Sequence, residues 1–169
     1  MYSSTLIRFC SLGAILAGTL RAITSFIPET APNVFLLYLM IDICLLFGVF
    51  GLQRFTANRA QLLSALGTSL MLVAVVVLIG RDLMVAPVTI YAVAAATFSI
   101  GLDLFAIHIV RTRQLPLWIP VMWLISTILG PLGFFAPRLH LLFAIAGIIF
   151  GCAFAGAGVV MWHQTSKAR

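Results

Sequence analysis

The stretch LHLLFAIAGIIFGCAFAGAGVVMW, residues 139–162, contains no lysine, arginine or acidic residue. A helix needs about 20 mostly apolar residues to cross the roughly 30 Å hydrocarbon layer of a bilayer. This stretch meets that requirement, and so do five others. The sequence therefore predicts an all-α, polytopic membrane bundle of six transmembrane helices, at residues 7–27, 33–52, 61–80, 87–109, 117–135 and 139–162.

The composition of the whole chain agrees with this class. Hydrophobic residues make up 63% and charged residues only 8%, and the mean hydropathy is +1.18. A soluble domain of this size cannot cover so much apolar surface with polar side chains, but a bilayer removes that requirement. Only short connections separate the spans, so we expect residues 1–169 to form a single integral membrane domain, with lipid as its immediate partner.

An Ala-Pro pair opens each even-numbered span, at residues 31–32, 86–87 and 136–137. Proline suits the first turn of a helix, where its missing N–H would have no intrahelical partner. The recurrence at equivalent positions favours three repeated helical hairpins.

The basic residues lie at the span ends and form no patch, which argues against a nucleic-acid partner despite the net charge of +6. Cytoplasmic loops of membrane proteins are enriched in lysine and arginine. The more basic side holds both termini, which we therefore expect in the cytoplasm, with the bacterial inner membrane as the expected location. On that side lie Arg8, Arg54, Arg59, Arg111, Arg113, Lys167 and Arg169, and on the other lie Arg21, Arg81 and Arg138.

Residues 1–27 share a basic flank and an apolar stretch with secretory signal peptides. However, Arg21 interrupts the apolar run and no A-x-A-like cleavage site follows. We interpret this segment as the first span, with a signal peptide as the alternative.

Small residues recur at helical spacing in three spans. Helices associate in lipid through close backbone approach, which small side chains permit. These stripes predict helix contacts, and contacts within one chain are favoured over a homo-oligomer seam. They comprise Ala14, Gly18 and Ala22 in the first span, Ala92 and Ala96 with Ser99 in the fourth, and Gly147, Gly151 and Ala155 in the sixth.

Two acidic residues, Asp42 and Asp103, lie within predicted spans. A charged side chain costs about 2.5–3.5 kcal/mol at a helix centre on insertion scales, so each is a candidate functional residue. Depth along the helices suggests two polar layers: Arg21, Tyr38 and Asp42 in the outer half, and Arg8, Ser99 and Asp103 in the inner half. The alternative is that both carboxylates only bond neighbouring helices together.

Other chemistry finds little support. Cys10, Cys44 and Cys152 have no redox or metal spacing, and His108 and His163 are interpreted as solvated interface residues rather than haem ligands. No catalytic or nucleotide-binding motif occurs. We therefore expect no metal, no cofactor and no enzymatic activity.

The expected function is a non-catalytic bundle, acting as a scaffold or accessory subunit with other membrane subunits. The alternative is a small-solute or ion transporter, or a substrate-binding membrane subunit, that uses Asp42, Arg21 and Asp103. A six-helix substrate-binding subunit of a multi-component vitamin importer has a similar size and topology, although no motif supports that analogy.

Overall fold

The computed structural model describes residues 4–27, 33–56, 62–84 and 88–167, which confirm the predicted all-α fold. Within these ranges, six helices are long and apolar enough to cross a membrane. They are α1 (Ser4–Thr24), α2 (Val34–Thr56), α3 (Leu62–Met84), α4 (Val88–Thr112), α5 (Trp118–Phe135) and α6 (His140–Lys167).

Several helices extend past the predicted apolar limits, because backbone hydrogen bonding continues after the side chains become polar. The helix α4 ends where Arg113 takes a positive φ of 52° and donates its N–H to the Ile109 carbonyl at 2.8 Å. Pro137 opens a short 3-10 turn, Pro137–Leu139, and α6 begins only at the next residue. The Ala-Pro pairs at 31–32 and 86–87 lie outside the described residues, so the threefold repeat stays a prediction.

The six helices form a closed ring in which each packs against its neighbours in sequence and α6 packs against α1. The helices α1 and α6 run antiparallel, because Arg21 lies against Phe143 and Arg8 against Trp162. Glycine contacts show the same for α1 with α2, α3 with α4 and α5 with α6. We call the end where α1, α3 and α5 finish the hairpin end. The opposite end, where α1 begins and α6 finishes, is the terminal end.

Large apolar side chains cover the outside of the ring. Phe9 on α1, Val93 on α4 and Leu141 on α6 are 60%, 67% and 72% exposed, respectively. Apolar patches of this extent are rare on proteins surrounded by water. The surface is compatible with a multi-pass membrane protein.

Glycines allow the backbones of α1 and α6 to touch. A Cβ built on Gly18 would overlap the Gly151 carbonyl oxygen, and a Cβ on Gly151 would lie 2.8 Å from the Ala22 nitrogen. Ala14 is fully buried, and its Cα lies 3.0 Å from the position of a Cβ on Gly48 of α2. The stripe on α1 therefore packs against both of its neighbours.

The stripe predicted on α4 has a different position. Ala96 is exposed, and Ala92 and Ser99 are half-buried. This stripe therefore faces partly outward and not into a close contact with a neighbouring helix. The close approach of α4 is made instead by Gly101 against α3, where an added Cβ would lie 2.7 Å from the Gly67 carbonyl oxygen. Spacing identified small residues but did not identify which of them faced a neighbouring helix.

Aromatic rings fill the interior over its middle and toward the terminal end. Phe98 contacts Phe150 with ring centroids 5.8 Å apart, and Phe150 stacks on Phe154 at 5.5 Å. Trp123 follows, 6.2 Å from both Phe154 and Phe105. We call these five residues the aromatic floor, because their rings form one chain of contacts that joins α4, α5 and α6.

Candidate functional site

Charged and phenolic side chains from four helices converge at the hairpin end, on the other side of the aromatic floor from the chain termini. Electrostatic interactions link these residues, and we call them the polar cluster. Asp82 is buried and the other members are half-buried. The polar cluster comprises Arg21 of α1, Tyr38 and Asp42 of α2, Arg81 and Asp82 of α3, and Tyr91 of α4.

Arg81 and Asp82 form the internal ion pair of the polar cluster. The Arg81 Nη1 donates to Asp82 Oδ1 at 2.7 Å, and the Asp82 side chain is only 5% exposed. The Arg81 guanidinium also lies over the Tyr91 ring, 5.3 Å from its centroid. A planar guanidinium can bond a carboxylate and stack on an aromatic face at the same time, so Arg81 is committed to two partners.

Arg21 lies against α6 on another side of the interior. Its guanidinium carbon is 5.8 Å from the centroid of the Phe143 ring. A Cβ on Gly147 would lie 3.4 Å from Arg21 Nη2 and 2.5 Å from Ser25 Oγ. The absence of a side chain at Gly147 therefore makes room for the Ser25 hydroxyl, and the Arg21 guanidinium lies beside it.

Asp42 reaches the interior from α2, eight residues after Val34 and thus about 12 Å along the helix. Its carboxylate interacts electrostatically with Asp82, Arg21 and Arg81. Among the residues that the structure describes, none lies within hydrogen-bond or ion-pair distance of that carboxylate. No hydrogen bond therefore joins Tyr38 to Asp42, although both residues belong to the predicted outer layer and to the polar cluster.

Tyr91 has a central position that the sequence did not indicate. It interacts electrostatically with Arg21, Tyr38, Asp42 and Arg81. Tyr91, Arg81 and Asp82 all lie within a turn of a helix end, where membrane proteins commonly place interfacial anchors. Only the packing of α3 and α4 within the ring turns these three residues toward Asp42.

The predicted inner layer of Arg8, Ser99 and Asp103 does not assemble. The Thr127 hydroxyl of α5 donates to Asp103 Oδ1 at 2.7 Å, and the Arg8 guanidinium lies 5.7 Å from the centroid of the Trp162 ring. Ser99 makes no hydrogen bond to Asp103 within the described chain. The reason is the helix order: α1 packs against α2 and α6, so Arg8 faces neither α4 nor its acid.

The interpretation of His108 as a solvated residue is wrong. Its side chain is fully buried beside Phe105, and neither ring nitrogen has a hydrogen-bond partner in the described structure. The Trp123 Nε1 is likewise buried without a partner. His163 is exposed, as expected. The described residues contain no group of three or more His, Cys, Asp or Glu side chains able to hold a metal ion.

No protein-family model matches this chain, and neither a curated protein nor a solved structure shows significant similarity to it. The chemistry of the polar cluster is therefore inferred from its own geometry.

Proposed function

We propose that this protein is a small-solute-binding membrane subunit or carrier, and that the polar cluster lines its binding site. One observation carries the proposal. Arg21 and Asp42 interact electrostatically in the ring interior, yet Asp42 forms no ion pair with any described residue. Opposite charges held apart in this way leave polar atoms for a solute or for water to contact.

The energetics of burial favour a ligand over mere helix bonding. An isolated charge in a membrane costs several kcal/mol, so an unpaired acid either loses its charge or faces a water-filled cavity or a partner. If Asp42 served only to lock α2 to a neighbour, a direct bond would be expected, as Thr127 provides for Asp103. The two intramembrane acids therefore have different roles, and only Asp42 has the surroundings of a binding residue.

The position of the aromatic floor indicates the end of the ring from which a solute would enter the site. The side-chain rings of this floor contact one another in the order Phe98, Phe150, Phe154, Trp123 and Phe105, further from the hairpin end than the polar cluster. A solute would therefore enter from the hairpin end. A carrier must open this floor during transport, whereas a binding subunit that delivers its solute to a partner can keep it closed.

The proposed orientation follows from the distribution of basic residues. Arg8, Arg54, Arg111, Arg113 and Lys167 lie toward the terminal end, and cytoplasmic segments are enriched in such residues. Both termini would then be cytoplasmic and the polar cluster would open to the outside, for which a bacterial inner membrane is the expected setting.

The competing account remains a scaffold or accessory subunit, in which the polar cluster only joins helices. Neither this account nor the solute-binding proposal assigns a catalytic role to any residue. The two accounts differ in one property, because a scaffold has no saturable affinity for small solutes.

A thermal-unfolding screen of the detergent-purified chain separates these accounts. A solute at a concentration of 100 times its dissociation constant stabilises the folded state by about 2.7 kcal/mol, which corresponds to a shift of roughly 5–10 °C for a protein of this size. The screen covers amino acids, amines, carboxylates, sugars and nucleobases. At least one class should stabilise the wild type and lose its effect in Asp42→Asn.

The matched control for this screen is Asp103→Asn, which changes the other intramembrane acid outside the polar cluster. This variant should keep the response to the stabilising solute. Stabilisation by no class of solute, or equal stabilisation of wild type and Asp42→Asn, would favour the scaffold.

A further inference from the structure

The polar cluster presents opposite charges on different walls of the interior. Arg21 lies on the wall formed with α6, beside Phe143 and Gly147. Asp42 is on α2, and its electrostatic interactions are with Asp82 and Arg81 of the next helix, α3, as well as with Arg21. A ligand between these walls would meet a cationic donor on one side and an anionic acceptor on the other.

The charge balance of the cluster disfavours a ligand with a single net charge. Arg81 and Asp82 neutralise each other at 2.7 Å, which leaves one basic side chain, Arg21, and one acidic side chain, Asp42. An anion bound at Arg21 would also be exposed to the field of the Asp42 carboxylate, and a cation bound at Asp42 would be exposed to Arg21 and Arg81. A ligand that carries both charges matches the field at both positions.

The surface below the cluster is apolar and aromatic. Phe98 lies seven residues after Tyr91 on α4, about 10 Å deeper along the helix, and is in contact with Phe150. Phe143 and Tyr91 flank the charged positions from α6 and α4. Such surroundings would accept an apolar group that projects from the charged end of a ligand.

We propose that the site recognises small zwitterions with an apolar side chain, of the amino-acid type. The ammonium group would bind at Asp42, the carboxylate at Arg21, and the side chain would point toward the aromatic floor. This inference rests on the solute-binding function proposed above and names its substrate class.

Isothermal titration of the wild-type chain in detergent tests the charge requirement directly. The probes form two matched series: L-phenylalanine, 2-phenylethylamine and 3-phenylpropionate, and L-leucine, 3-methylbutylamine and 4-methylpentanoate. Within a series the apolar group is conserved and one charge is removed at a time. Since a hydrogen bond to a charged group contributes about 1.5–3 kcal/mol, the zwitterion of at least one series should bind roughly 10-fold or more tightly than both analogues.

Two variants then assign the contacts. Asp42→Asn should weaken binding of the zwitterion and leave binding of the carboxylate analogue nearly unchanged. Arg21→Gln should weaken binding of the zwitterion and leave binding of the amine analogue nearly unchanged. Arg21→Lys keeps the cation and should retain more affinity than Arg21→Gln. Arg8→Gln, which changes the other arginine of α1 outside the cluster, should bind as the wild type does.

The outcomes distinguish failure of this inference from failure of the proposed function. If an amine, a carboxylate or a solute of another class binds and neither zwitterion binds more tightly, the substrate class is wrong and the binding function stands. If the zwitterions bind equally well to Asp42→Asn and Arg21→Gln, the placement of the ligand is wrong. If no solute binds, both the inference and the proposed function fail.

Discussion

Arg21 of α1 and Asp42 of α2 interact electrostatically, although no ion pair joins Asp42 to any described residue. Adjacent helices in a membrane would gain from a direct bond between such groups. Here the Arg21 guanidinium lies against Phe143 of α6, and Asp42 interacts electrostatically with Asp82 and Arg81 of α3 as well as with Arg21. The separation is therefore a property of the ring, and it is the structural basis of the proposed binding site.

The contact between α1 and α6 predicts that Gly151→Ala destabilises the protein. The new Cβ would overlap the Gly18 carbonyl oxygen, and overpacking typically costs about 1–3 kcal/mol. That cost exceeds the roughly 1 kcal/mol gained from the higher helix propensity of alanine. Thermal unfolding in detergent should show a lower midpoint.

Gly80→Ala is the control for this substitution, because no atom lies within 4 Å of the added Cβ. It should be neutral or slightly stabilising. An equal response of the two variants would show that α1 and α6 are not in close contact.

The hydrogen bond from Thr127 to Asp103 predicts a measurable coupling between α4 and α5. Side-chain hydrogen bonds between membrane helices average about 0.6 kcal/mol and reach about 1.7 kcal/mol. A double-mutant cycle of Thr127→Val and Asp103→Ala should return a coupling in this range when unfolding is measured in detergent.

Thr97→Val provides the comparison, since the Thr97 hydroxyl donates to the Val93 carbonyl within its own helix at 2.8 Å. Combined with Asp103→Ala, it should give an additive result. Additivity for the Thr127 pair as well would contradict the observed hydrogen bond.

The burial of His108 predicts that His108→Leu maintains or increases stability. Both ring nitrogens are buried without partners in the described structure, and an unsatisfied buried polar group costs about 1–3 kcal/mol. Leucine has a similar volume and removes that cost. His163→Leu, at an exposed position, should change stability by less than about 0.5 kcal/mol, and a clear loss in His108→Leu would show that the histidine has a partner when folded.

The helices and the polar-cluster residues of α1 and α2 could be predicted, because hydropathy and residue counting give the depth of a residue in a membrane. Depth placed Arg21 and Asp42 at similar levels, and small-residue spacing marked Gly18 and Gly151 as contact residues. Both predictions depend on properties of single helices, which a sequence contains directly.

The incorrect predictions concern which helices are neighbours and how each helix is rotated, and depth in the membrane determines neither. Arg8 and Asp103 were matched by level, but the order of helices in the ring keeps α1 and α4 apart. Tyr91 and Asp82 were overlooked because their positions near helix ends resemble those of interfacial residues. Their orientation toward Asp42 depends on how α3 and α4 rotate against their neighbours, which spacing along one chain does not determine.

The most direct test of the binding site is its accessibility to water. In a chain with Cys10→Ala, Cys44→Ala and Cys152→Ala, a single cysteine is introduced as Tyr38→Cys or as Met40→Cys. The two positions differ in depth by about 3 Å. Tyr38 belongs to the polar cluster, whereas Met40 is 53% exposed on the outside of the ring.

A charged, membrane-impermeant thiol reagent reacts with the thiolate, which forms readily in water and poorly in an apolar environment. Applied from the outside to intact cells, it should label Tyr38→Cys rapidly and leave Met40→Cys almost unlabelled, and a bound solute should slow the labelling of Tyr38→Cys. Failure to label Tyr38→Cys from either side of the membrane, in intact cells or in broken membranes, would contradict a water-accessible site and leave the polar cluster as a helix-joining element.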